Sequence, residues 1–427
     1  MRVTIQPGTA SGTVAAVPSK SAAHRLLIAA ALADRPTWVL FEKSSQDIDA
    51  TIRCLTGLGA EILRDGKGCL VNPLDRTRPV GACALDCGES GSTLRFLLPV
   101  AGALGAEATF LLSGRLADRP LEPLAGQLKA HGCALELDRG KKTLTIRGRL
   151  TPGEFSLPGN VSSQFFSGLL FALPLLEGES RLWAEETMES AGYIDLTLSA
   201  LARFGIRPKT PAQGGWSLSP QEGRSPETVG VEGDWSNAAP WLCMGVLGGE
   251  TVAVSGLDPD SLQGDRAICR VLAGMGGTIA WREDAVSARG GNLRPAVIDA
   301  RNIPDLVPVL AAAASAIPGE TRIAGAARLR LKESDRLETT ARTLNALGGA
   351  VTVLEDGLLI RGVPRLTGGA ADAAGDHRIA MAAAVASAAC DGPVTVTGAQ
   401  AVDKSYPGFW SELRALGRTV ETEEEDP

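Results

Sequence analysis

The stretch Leu55-Thr56-Gly57-Leu58-Gly59-Ala60-Glu61-Ile62 joins a helix-like segment to an alternating, strand-like one through Gly59. Glycine is the residue expected there, because a helix commonly ends with one residue in the left-handed backbone region. The same pattern returns as LKAHGCALEL at Gly132, LARFGIRP at Gly205, LAGMGGTIAW at Gly276, LNALGGAVTVL at Gly348 and LRALGRTV at Gly417. Successive spacings are 73, 73, 71, 72 and 69 residues. Six units of roughly 70 residues therefore account for the chain, and self-similarity at a fixed period marks a repeat architecture.

A second series runs in phase with the first. Ser21, Ser92, Ser163, Ser236, Asp305 and His377 open six apolar, Ala/Leu-rich segments that read as buried helices. Ser and Asp at such positions serve as N-caps. Capping alone, however, does not call for Lys20, Arg25, Arg95, Gln164 and Arg378 in the first turns. Helix N-termini present unpaired amides and partial positive charge, so converging starts of this kind suit phosphates and carboxylates. Each unit reads strand, helix, strand, helix, strand, strand. The expected fold is α/β, with two three-unit domains of βαβαββ repeats at 18–229 and at 1–17 plus 230–427. The chain crosses between them near Pro18 and near Gly230 to Glu232, which are natural hinges.

Composition narrows the function. The 427 residues carry a net charge of −7, which weighs against a general nucleic-acid binder. Part of that charge is the acidic run Glu421 to Asp426, expected to be a frayed, solvated end. Eight cysteines without a CxxC pair, beside three histidines, argue against a disulfide framework or a zinc site. No apolar run approaches the roughly 18 residues of a membrane span, and the N-terminus has no signal-peptide core. A cytoplasmic, metal-free, cofactor-free enzyme is expected.

The strings PSKSAAHR, GESGSTLR, DRPLEP, VSSQF, GYIDLT, EGDWS, LQGDR, IPD, KESDRL and GDHRIAM, in that order over nearly the whole chain, resemble the 5-enolpyruvylshikimate-3-phosphate synthase family. The resemblance implies two inverse α/β domains with the active site in the cleft between them. It also implies transfer of the enolpyruvyl group of phosphoenolpyruvate to the 5-hydroxyl of shikimate 3-phosphate, by a monomer needing no nucleic acid or membrane. By position, Asp305 is implied as base, Glu333 as acid/base and Lys20 as a partner in proton delivery. Shikimate 3-phosphate falls to Lys20, Ser21, Arg25, Ser162, Ser163, Gln164, Ser190, Tyr193, Asp305 and Lys332. Phosphoenolpyruvate falls to Lys20, Gly91, Arg119, Gln164, Arg336, Arg378 and Lys404. Carboxylates and phosphates favour Arg as a fork and Lys as a point charge, which these lysines and arginines supply. The chain departs from the commonest family pattern at Glu89, Ser92 and Phe96, and at Gln400 where a pocket lysine is usual. The alternative is the sister family acting on UDP-N-acetylglucosamine, which shares the six-unit architecture. That family opens with a GxKNAA-like segment and has a reactive loop cysteine, whereas this chain opens PSKSAAHR and its GRLADRP loop has none.

Overall fold

A computed structural model describes residues 1–78 and 80–424. The chain divides into two compact units, Pro18–Val231 and Met1–Val17 with Glu232–Pro427. The first, here the N-terminal unit, holds helices α1 (Lys20–Ala31), α2 (Gln46–Gly57), α3 (Gly91–Leu104), α4 (Leu124–Ala130), α5 (Ser163–Ala172) and α6 (Ala191–Arg203). The C-terminal unit holds α7 (Trp235–Gly248), α8 (Ile268–Gly274), α9 (Val307–Ser315), α10 (Arg336–Ala346), α11 (His377–Ala386) and α12 (Phe409–Ala415). Among the described residues, no helix is long and apolar enough to cross a membrane.

The even-numbered helices end at the repeat glycines. Gly59, Gly132, Gly205, Gly276, Gly348 and Gly417 all have positive φ, from 76° to 110°. At the first of these, Gly59 N–H donates to Thr56 O and Ala60 N–H to Leu55 O, the paired bonds of a Schellman ending. The odd-numbered helices are buried on nearly all faces, and five are capped by the residue just before them. Ser19, Ser90, Ser162, Asp234 and Asp376 accept from the amides of Ala22, Thr93, Gln164, Asn237 and Arg378. Helix α9 is entered instead through a 3₁₀ turn, Pro304–Leu306.

Among the described residues, each unit contains three small sheets. In one, Cys83–Gly88 runs parallel to Ala108–Leu112, which pairs antiparallel with Thr143–Gly148 and through it with Cys133–Asp138. Strand Thr228–Gly230 returns to lie parallel to Thr37–Leu40, so the end of the N-terminal unit completes its first sheet. Likewise Gly12–Ala15 pairs with Val252–Ser255, and Arg2–Ile5 with Val394–Thr397, which ties residues 1–17 into the C-terminal unit. Each unit has its own apolar core. One is rich in phenylalanine (Phe155, Phe165, Phe166, Phe171), the other in alanine with Trp235 and Trp241.

The structure corrects the sequence reading twice. Among the described residues, the sheet of the third repeat (Glu154–Leu157, Ser180–Ala184 and Trp216–Leu218) has only three strands, because Pro208 and Pro211 remove ladder donors and leave a single bridge, Lys209 to Ser217. The acidic end is also more ordered than expected. Val420–Glu423 is an edge strand paired with Arg2–Ile5, its Val420 buried and its glutamates exposed. Charge on an edge strand also guards against edge-to-edge association. Residues 425 and 426 of that run lie outside the described residues.

Candidate functional site

In the N-terminal unit most of the expected residues stand at or near the starts of the buried helices α1, α3 and α5, with Ser190 and Tyr193 at the start of α6 and Arg119 on the loop before α4. Lys20, the first residue of α1, donates to Asp47 Oδ2 on α2 at 2.8 Å. Gln164, the second residue of α5, donates to Ser92 Oγ on α3 at 2.8 Å and accepts from Arg95 at 2.7 Å. That contact depends on Gly168, since a Cβ there would sit 2.3 Å from the Arg95 carbonyl; glycine lets α5 press against α3. Gly91 begins α3, and a Cβ on it would meet the Arg119 guanidinium at 2.6 Å. Arg119 therefore lies directly over the α3 N-terminus. The absence of a side chain at Gly91 leaves room for that arginine.

Arg25 is almost fully buried and committed to protein partners. It donates to Thr197 Oγ1 at 2.8 Å, Ser21 O at 2.7 Å, Ser167 Oγ at 3.3 Å and Tyr193 O at 2.8 Å. Burial lowers its guanidinium to about 10. Its side chain thus locks α1 to α5 and α6. Ser162 and Ser163 stand at the α5 start. Ser190 enters α6 in the left-handed region at φ 55°, a conformation that costs a non-glycine residue about 1 kcal/mol.

The C-terminal unit builds a denser cluster around Arg336 on α10. Its guanidinium reaches Asp305 at 2.8 Å, Glu333 at 2.7 Å and Asp376 at 2.8 Å. Lys332 and Arg378 stand 3.8 and 3.9 Å from Asp305. Arg378 Nη1 also donates to Ser236 O at 2.9 Å and Asn237 Oδ1 at 3.3 Å, at the start of α7. Lys404 donates to Gly375 O at 2.6 Å, beside the α11 cap. All six expected residues of this unit, Asp305, Lys332, Glu333, Arg336, Arg378 and Lys404, thus stand around the starts of α9, α10 and α11. Burial alone would raise the Asp305 carboxyl, but Lys332, Arg336 and Arg378 together hold it well below the usual carboxylate range. Among the described residues, no three His, Cys, Asp or Glu side chains are placed to hold a metal ion.

Four participants are not among the residues that the sequence singles out, Asp47, Asp376, Asn237 and Asp265, and Ser236 is read there only as a helix start. Each acts through a partner more than 25 residues away; Asp376 and Asp265 lie in GDHRIAM and LQGDR, whereas Asp47 and Asn237 lie in none of the quoted strings. Asp265 is buried and accepts from Ser236 Oγ. Burial and, next, the Asp305 charge push its carboxyl from 3.8 up to about 7. A folded value above the ordinary one means stability that is fully present below the ordinary value and lost as pH rises through the folded one. Asp265→Asn is therefore expected to gain thermal stability over the parent as pH rises from about 5 to about 8, by on the order of 2 kcal/mol. A pH series of melting temperatures checks this, and an offset that stays constant across the series would refute it.

Residues 5–413 match the EPSP synthase (3-phosphoshikimate 1-carboxyvinyltransferase) family. A 3-phosphoshikimate 1-carboxyvinyltransferase of Clostridium kluyveri is 41% identical over 419 residues, covering 98% of each chain. The chain belongs to the EPSP synthase family. The structure of EPSP synthase from Acinetobacter baumannii matches with a TM-score of 0.80 at 26% identity, over 98% of this chain and 99% of that one. The enolpyruvyl transferase NikO of Streptomyces tendae shares the fold with a TM-score of 0.77 at 20% identity, over 98% of both chains. Family and two-domain repeated α/β fold thus agree with the repeat visible in the sequence.

Proposed function

We propose that the protein transfers the enolpyruvyl group of phosphoenolpyruvate to the 5-hydroxyl of shikimate 3-phosphate and releases phosphate. The observation that carries this is 41% identity over 98% of both chains to a 3-phosphoshikimate 1-carboxyvinyltransferase. Two cation-lined sets of helix starts, one per unit, supply a physical reason for two polyanionic substrates. In this reading both sets serve the substrates, in a cytoplasmic monomer working without metal or cofactor.

The proposed roles are those that the family resemblance implies for these positions. Ser162, Ser163, Ser190 and Lys332 hold the 3-phosphate, with Ser21, Arg25 and Tyr193 on the carboxylate side and Gln164 between the substrates. Gly91, Arg119, Arg336, Arg378 and Lys404 surround phosphoenolpyruvate. Arg336, being buried among three carboxylates, acts by fixing Asp305 and Glu333 as much as by direct contact. Asp305 takes the proton of the attacking hydroxyl, Glu333 and Lys20 serve proton transfer at the methylene carbon, and the carbon–oxygen bond to phosphate breaks. Excluding water strengthens each charge contact and protects the intermediate.

The test is phosphate release from phosphoenolpyruvate with shikimate 3-phosphate or UDP-N-acetylglucosamine as acceptor, in EDTA. Release with the first alone is expected; release only with the second assigns the chain to the sister activity. A residue-level test is Gly91→Ala, which displaces the Arg119 guanidinium but keeps a good helix former. It should raise the KM for phosphoenolpyruvate roughly tenfold, the scale of one charge-assisted contact, with the melting temperature unchanged. An unchanged KM would remove Arg119 from that role.

A further inference from the structure

A buried polar chain runs beneath the proposed site of the N-terminal unit. His24 Nδ1 lies 2.7 Å from Thr51 Oγ1, Thr51 Oγ1 lies 2.7 Å from Thr93 Oγ1, and Thr93 Oγ1 donates to Ser90 Oγ at 2.8 Å. The four side chains belong to α1, α2, α3 and the α3 cap, and none is more than 1% exposed. Buried polar groups are costly unless paired, and these pair with one another.

The direction of the chain follows from one proton per hydroxyl. Thr93 spends its proton on Ser90, so it accepts from Thr51. Thr51 has then spent its own and accepts from His24, so Nδ1 carries the hydrogen. Among the described residues Nε2 is buried without a partner, which suits a bare lone pair better than a stranded N–H. The environment keeps the ring neutral, through burial first and then the Lys20 and Arg25 charges.

The spacing links this chain to the reacting groups. Lys20 and His24 are one turn apart on α1, as Asp47 and Thr51 are on α2. The Lys20–Asp47 contact is thus repeated one turn deeper by His24–Thr51. Beyond it, Thr93 stands in the same first turn of α3 as Gly91 and Ser92. Arg25, the next residue along, makes the equivalent tie to α5 and α6.

We propose that His24 is a positioning residue of the transfer site, whose neutral imidazole donates from Nδ1 into the Thr51–Thr93–Ser90 chain and so holds Lys20, Asp47 and the α3 start in register. The kinetic part of this inference rests on the proposed function; the tautomer does not.

The chain contains three histidines, so nitrogen-15 histidine NMR resolves each of them. His24 is expected as the neutral Nδ1–H tautomer throughout the range from about pH 6 to about pH 9, where an ordinary histidine titrates near its lower end. An Nε2–H tautomer or an imidazolium at neutral pH overturns the proposal. In kinetics, His24→Leu should lower kcat/KM roughly tenfold, mainly through kcat because Lys20 is misplaced. His24→Asn places its amide nitrogen where Nδ1 was and should recover most of that loss. Asparagine performing no better than leucine overturns the positioning role, as does a leucine variant with parental kinetics. A parent protein that transfers no enolpyruvyl group refutes the proposed function instead, and the NMR result still decides the hydrogen-bond chain.

Discussion

Arg336→Met should destabilise the C-terminal unit by about 3–5 kcal/mol, the usual result of removing one partner from a buried ion pair. Asp376 is fully buried and receives Arg336 Nε at 2.8 Å, while Ser334 Oγ adds a bond at 3.0 Å. Glu333 and Asp305 receive the other two ends of the same fork. Without the guanidinium, three carboxylates face one another, and Asp376, which also caps α11, has lost its charge partner. Those carboxylates outweigh burial and raise the Arg336 guanidinium above its already high ordinary value, so deprotonation offers no relief. Two-unit proteins need not unfold in one step, so hydrogen exchange of the α10 and α11 amides is the appropriate measurement. Adding Asp376→Asn, which keeps the cap and deletes a charge, should recover part of the loss. Opening free energies within about 1 kcal/mol of the parent would mean the cluster is solvated, at the worth of a surface pair.

How much of this was legible follows from how local each cause is. The glycines at 59, 132, 205, 276, 348 and 417 could be read because a helix C-terminus and its left-handed residue lie within a few positions of one another. The helix starts were legible for the same reason, although the capping side chains sit at Ser19, Ser90 and Asp234, up to two residues ahead of the repeat series. Partnerships across the repeats were not. Nothing near Asp376 shows that it faces Arg336, 40 residues earlier, and nothing near Asn237 shows that it seats Arg378, 141 residues later. That Gly91 leaves room for Arg119 is not legible either, because which group approaches it depends on where the loop before Arg119 returns. The strand Val420–Glu423 was missed because a charged run looks solvated; on an edge strand one face is.

Asp305→Asn should lower kcat by a factor of about 10² to 10⁴, the range of a lost general base, while shikimate 3-phosphate binds with nearly parental affinity. The structure adds a condition to that role. With Arg336 at 2.8 Å, Lys332 at 3.8 Å and Arg378 at 3.9 Å, the carboxylate is held by three cations and is a poor proton acceptor. In the proposed function Lys332 turns to the 3-phosphate and Arg378 to phosphoenolpyruvate, so each substrate withdraws part of the charge that depresses Asp305. Opposite charges within a few ångströms each shift a carboxyl by about 1–3 units, and their partial neutralisation moves Asp305 back toward useful basicity. The base is therefore strongest when both substrates are present, which suits an enzyme that must not spend phosphoenolpyruvate on water. The pH profiles separate this from a fixed base. Because kcat/KM reports the free enzyme and kcat the loaded one, the acidic limb assigned to Asp305 should lie at higher pH in kcat. Coincident limbs would remove the substrate dependence, and an asparagine variant within tenfold of the parent would remove Asp305 as the base.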